Sequence, residues 1–216
     1  IANLMAIADL FQISVDELLS NEKSEKKQSN YIYESRTEYD IDGKKNFDIK
    51  LGGAYAVDLK AYHGEKIEVA MFSNVYKNLL ADYKVKIDDI KKRIDIDLNR
   101  FNEASEADAK ESLVITIFIP VKYIGKIELS VNARTLNITD IENEHIEVNG
   151  KISEVTLQGN KSEIEIDSNL DMQISVLSHE GAIEINQLSA TSRLTIPADY
   201  RFRSTKKGIA THIYYE

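Results

Sequence analysis

The sequence predicts a mainly β protein: β-strands that lead into a β-solenoid of coils of about 19 residues, two short strands each, with a short N-terminal helix pair. Three observations predict it. From Tyr31 onward apolar residues alternate with polar ones, the period of a half-buried strand. The C-terminal third repeats Ile-Glu-apolar at Ile127, Ile146, Ile164 and Ile183, in steps of 19, 18 and 19 residues. Between these units runs a second series, Leu136-Asn137-Ile138, Val155-Thr156-Leu157, Ile174-Ser175-Val176 and Leu194-Thr195-Ile196. Two strand-length units in a fixed period of about 20 are the mark of stacked coils, because one unit cannot bury its apolar edge alone.

Residues 1–20 read as two helices. Leu4, Ile7, Ala8 and Phe11 recur at helical spacing. Ser14 and Glu17 then form a capping box, and Ile13 with Leu18 the matching hydrophobic staple. Residues 21–30, NEKSEKKQSN, hold no apolar side chain and read as a linker. The all-β domain is expected over 31–216, with the repeat region at about 114–200. Within it Phe47, Ile49 and Leu51 alternate with polar residues, as do Val57 and Leu59, then Ile67, Val69 and Met71, then Ile94, Ile96 and Leu98. Gly52-Gly53 and Gly64 are expected to form turns. Residues 76–82 and 88–93 are compatible with helical turns, and the polar stretch 99–112 with a loop carrying a short helix. The apolar run from Leu113 to Ile119 predicts a strand buried on both faces. Stepping back 19 residues from Leu136 reaches Ile117, so this strand is expected to open the stack. Its Ile119-Pro120 matches Ile196-Pro197, and the two prolines of the chain are expected to mark the terminal coils, where a missing donor is tolerated.

Composition narrows the function classes. Of 216 residues, 43% are hydrophobic and 29% charged, which suits a folded domain. The net charge of −9 repels nucleic acid and anionic membrane. Without cysteine there is neither disulfide nor thiolate chemistry. No apolar run approaches the ~20 residues of a membrane-spanning helix. The N-terminus has no signal-peptide pattern, and because residue 1 is Ile an upstream segment is expected.

Little in the sequence points to catalysis. His63, His145, His179 and His212 are far apart and lack zinc-ligand spacing. Ser178-His179-Glu180 holds the residue types of a triad, but neighbours on a strand point apart. The carboxylates Glu128, Glu147, Glu165 and Glu184 recur with the coil, unlike the unique pair of a glycosidase. No enzyme activity, cofactor or metal is therefore expected. If the flanking apolar residues point inward, these four glutamates form an outward acidic ladder. Asn137, Thr156, Ser175 and Thr195 form a neutral, hydroxyl-rich row on the other side. The acidic row reads either as a platform for cations or a basic partner, or as a solvated face balanced by Lys126, Lys151 and Lys161.

Two resemblances bear on function. Ala8, Phe11, Ile13, Ser14, Val15, Asp16, Leu18 and Leu19 follow the pattern of the last two helices of a Cro/repressor-like (xenobiotic-response-element type) helix-turn-helix domain. In that family the DNA-reading helix precedes this stretch, and residues 1–22 contain neither Lys nor Arg. The solenoid and its preceding strands, over about 45–205, resemble the bacterial family labelled putative adhesin, a domain of unknown function found in exported proteins and in tails of regulators. That family brings no catalytic residues. Together the resemblances imply a sensory, ligand-binding or assembly domain of a bacterial transcriptional regulator, cytoplasmic, meeting DNA through residues upstream of Ile1 and, at a two-fold site, a second copy of itself. The alternative they imply is an adhesin-like structural or binding module at the cell surface.

Overall fold

The computed structural model describes residues 31–102, 104–208 and 212–214. The expected helix pair and linker lie outside these. The described residues are mainly β: thirteen strands in one mixed sheet, with two short helices.

Three strands organise the rest. β2 (Lys45–Tyr62), β7 (Ile124–Thr139) and β8 (Glu142–Gln158) are 18, 16 and 17 residues long. Each is long enough to serve two ladders, one along its first half and one along its second. On the first halves Phe47, Ile127 and Ile146 lie in parallel register. On the second halves Leu59, Ile138 and Leu157 do the same. The ladders meet where Gly52 stands opposite Val131, and Val131 opposite Gly150. Gly52 has φ +68°, which a glycine adopts without cost. Gly52-Gly53 is thus an irregularity inside one strand, where the register shifts between Lys50 and Gly52, and not the chain-reversing turn expected.

Beyond β8 the same two ladders are carried by separate short strands. β9 (Asn160–Asp167) and β12 (Ile183–Asn186) extend the first, and β10 (Met172–Val176) and β13 (Ser192–Thr195) the second. The two-residue β11 (His179–Glu180) pairs with the start of β9. The four repeat isoleucines fall in one in-register row, Ile127, Ile146, Ile164 and Ile183. The first three are buried, and Ile183, in the last rung, is partly so. Two short strands per repeat hold for the last two rungs, whereas each of the earlier ones is a single long strand.

At the other end the sequence expectation needs correction. β6 (Val114–Pro120) is buried as predicted, but it does not neighbour β7. β2 lies between them: Leu59 pairs with Ile117 on one side and Ile138 on the other. The 19-residue step back from Leu136 therefore meets a strand one place too far along. Nor does Pro120 mark a terminal coil. β6 is flanked by β2 and by antiparallel β3 (Lys66–Ser73), and Pro120 stands at its last residue, opposite Tyr62. β1 (Tyr33–Asp40) closes that end by pairing with β3. On the first ladder the end is an antiparallel hairpin of β4 (Tyr83–Ile90) and β5 (Arg93–Arg100), with β5 parallel to β2. Residues 88–93, read as a helical turn, are the tip of this hairpin, with Lys91 at φ +58°. The helix expected after residue 76 is one turn, α1 (Leu79–Asp82). The one in the polar stretch is α2 (Glu106–Ser112), capped by the Ser105 hydroxyl, which accepts from the Asp108 N–H.

Alternation places one side chain in two inward along both ladders, and these form a single hydrophobic cluster from Ile41 to Val176. Burying each of its isoleucines contributes on the order of 2 kcal/mol. The cluster leaves the outward positions of both ladders to polar residues in straight rows.

Candidate functional site

The four predicted glutamates are brought together as one row. Glu128 pairs with Glu147, Glu147 with Glu165, and Glu165 with Glu184. The row is longer than the repeat. Asp48 of β2 stands opposite Glu128, Asp95 of β5 opposite Asp48, and Asp88 of β4 opposite Asp95. Seven carboxylates thus run along the first ladder from β4 to β12, one on each of its successive strands. The three aspartates were not singled out in the sequence, although Asp48 and Asp95 sit between apolar neighbours, Phe47-Asp48-Ile49 and Ile94-Asp95-Ile96, like the glutamates. The 19-residue period hid them, because these strands join the ladder out of sequence order.

Like charges one strand spacing apart repel. The sheet offsets this with neighbours two residues along the same strands. Lys50 Nζ reaches Asp48 at 2.9 Å, Arg93 Nε reaches Asp95 at 2.6 Å, and Lys86 pairs with Asp88. Each of these three cations is held above its ordinary pKa, first by the hydrogen bond to its carboxylate. In the repeat itself amides replace the cations. Asn149 donates to Glu147 and Asn186 to Glu165, both at 2.8 Å, and His145 Nε2 lies 3.8 Å from Glu165. Two of the lysines expected to balance the row pair with other carboxylates, Lys126 with Glu144 and Lys161 with Glu142. At Lys151 the backbone N–H donates to Asn132 Oδ1.

On the second ladder the neutral row is likewise in register. Asn137, Thr156, Ser175 and Thr195 are successive partners. Asp58 and Thr116 extend it through β2 and β6. Asp58 accepts from Asn137 Nδ2 at 2.7 Å and from the Thr116 hydroxyl at 3.3 Å.

The triad-like residues separate as their adjacency requires. Ser178 Oγ accepts from the Gly159 N–H, Glu180 is exposed, and His179 is buried opposite Asn160. Burial pushes the His179 pKa down, with the Ala182 backbone acting the other way, so the ring is neutral at pH 7. Among the described residues no group of three or more His, Asp or Glu is placed to hold a metal ion, and no helix is long and apolar enough to cross a membrane.

No protein-family model matches the chain, and no curated protein matches it. Solved structures do. A putative cell adhesion protein from Clostridium sporogenes superposes with a TM-score of 0.51 at 9% identity, over 76% of this chain and 99% of that one. Putative adhesins from Parabacteroides merdae and Bacteroides fragilis also align over 76% of this chain, at 12% and 13% identity, with TM-scores of 0.27 and 0.28. The first of these shows a shared fold. That fold defines the class: a mainly β domain built on in-register parallel strands.

Proposed function

We propose that this chain is an adhesin-like structural or binding module without catalysis of its own, which uses its straight outer rows to meet a partner. The fold shared with the putative cell adhesion protein from Clostridium sporogenes carries the reading. The geometry supports it: the polar groups are spread as repeated rows, which suit an extended contact better than one reacting atom. In this reading the seven-carboxylate row meets cationic surfaces, and the module works at the cell surface.

The test is retention of the full chain on poly-lysine beads across a salt series. One variant carries glutamine at Glu128, Glu147, Glu165 and Glu184. A charge-matched control carries amides at Asp42, Glu65, Glu111 and Asp199, which are exposed and off the row. The row variant should elute at lower salt than the control. Equal elution would show that net charge alone acts, and would remove the row from the proposal.

A second reading, the sensory, ligand-binding or assembly domain of a DNA-binding regulator, rests on the sequence of residues 8–19, which resembles the last two helices of a Cro/repressor-like helix-turn-helix domain. Those residues hold no base, and DNA affinity comes largely from Lys and Arg on phosphates. If this reading holds, the 216-residue chain should not bind DNA, whereas a version carrying a basic reading helix before Ile1 should. Salt-dependent anisotropy titrations of both decide this. Silence from the longer chain on genomic fragments would end the regulator reading.

A further inference from the structure

The stack is open at its last rung. β12 pairs only with β9 and β13 only with β10 among the described residues, so each has one edge with no described strand beside it. Inward positions lose cover there: Ile174 is 1% exposed, whereas its partner Leu194 is 44% exposed. Ile183 and Ile185 are only partly buried. An unpaired edge of this kind takes a further strand, and repeat stacks need something over the end.

The sequence beyond this edge keeps the repeat's phase. Nineteen residues after Ile183 and Leu194 stand Phe202 and Ile213. The same step from Glu184 reaches Arg203, so the next member of the carboxylate row is a cation. The path of the chain fits as well. Each rung of the repeat starts at a corner, where Asn160 stands beside His179. After β13 the chain turns, with the Tyr200 N–H donating to the Pro197 carbonyl at 3.0 Å. The Tyr200 hydroxyl then donates to the His179 carbonyl. The chain has therefore already crossed back to the corner from which a further rung would start. In the structure residues 201–208 are exposed and in no strand.

We infer that the open edge is an acceptor for this chain's own residues 202–205 and 213–214, which close on to β12 and β13 as a further parallel rung. Phe202 covers Ile183, Arg203 pairs with Glu184 at the end of the acidic row, and Ile213 covers Leu194. Apolar cover and opposite charge select the same register, so a slip of one residue would lose both.

Amide hydrogen exchange on the 216-residue chain tests this, read on peptides spanning 183–195 and 202–205. Residues 202–205 should exchange at least about tenfold more slowly than an unstructured segment. Arg203→Glu should abolish that protection and speed exchange in 183–186, with the far-ultraviolet spectrum unchanged. A chain ending at Tyr200 should show the same gain at 183–195. Unprotected 202–205, together with unchanged β12 and β13 in the shortened chain, would overturn the inference. So would protection that grows with protein concentration alongside a dimer in light scattering, since the strand would then come from a second copy.

Discussion

At the scale of single residues, the rungs are set by a few positions where the backbone or a buried polar group leaves no latitude. Gly150 has φ +146°, and a Cβ there would lie 1.8 Å from the Val131 carbonyl oxygen. Gly150→Ala should therefore cost about 3 kcal/mol or more in urea denaturation, the scale of a strained backbone site. Gly43→Ala, with nothing within 4 Å of the added Cβ, should be near neutral. His179 gives a second residue-scale prediction. Burial holds its folded pKa below the ordinary histidine value of 6.5, so the unfolded chain takes up the proton first. Its contribution to stability is full above that value and is lost as pH falls from there through the lower folded pKa. Glu180, its chain neighbour, acts weakly the other way. His179→Asn, which copies Asn160 one rung earlier, should flatten the loss of thermal midpoint between about pH 7 and 5. An unchanged slope would mean another group carries it.

At the scale of elements, position in the stack decides the cost of losing an apolar side chain. Ile166 and Ile174 are buried, and their strands β9 and β10 have neighbours on both sides. Replacing either by Ala should cost ~2–5 kcal/mol. Ile196, partly buried at the open end, should cost less, and equal losses in chemical denaturation would contradict the assignment of that end. The outward row behaves oppositely. Glu147→Gln with Glu165→Gln should leave folding intact and be neutral or slightly stabilising at low salt, with the difference shrinking as salt screens the row. A large loss would mean that these carboxylates hold something. Much at this scale was legible in the sequence. The period of two located the strands, and the steps of 18 and 19 placed Ile127, Ile146, Ile164 and Ile183 in one row, because parallel in-register pairing copies sequence spacing directly into space. The place of β2 was not legible. Its pairing joins Phe47 to Ile127 and Leu59 to Ile117, contacts that no local pattern encodes. For the same reason Asp48, Asp88 and Asp95 were missed from the acidic row, and Lys126 and Lys161 were assigned to it although they pair with Glu144 and Glu142.

At the scale of the whole molecule, one arrangement determines the rest: parallel rungs in register, with β2 threaded between β6 and β7. It fixes where the carboxylate row and the hydroxyl- and amide-rich row run, and among the described residues it ends the two ladders at β12 and β13. The absence of cysteine makes this directly measurable, since introduced pairs have no native thiol to compete with. Adjacent strands in register lie ~4.8 Å apart, within reach of a disulfide. Under mild oxidation Asp58→Cys with Asn137→Cys should cross-link within one chain, as should Glu147→Cys with Glu165→Cys. Thr116→Cys with Asn137→Cys should not, because β2 stands between them. Cross-linking of the Thr116 and Asn137 pair, with none between Asp58 and Asn137, would contradict the threading of β2 and with it the arrangement of both rows.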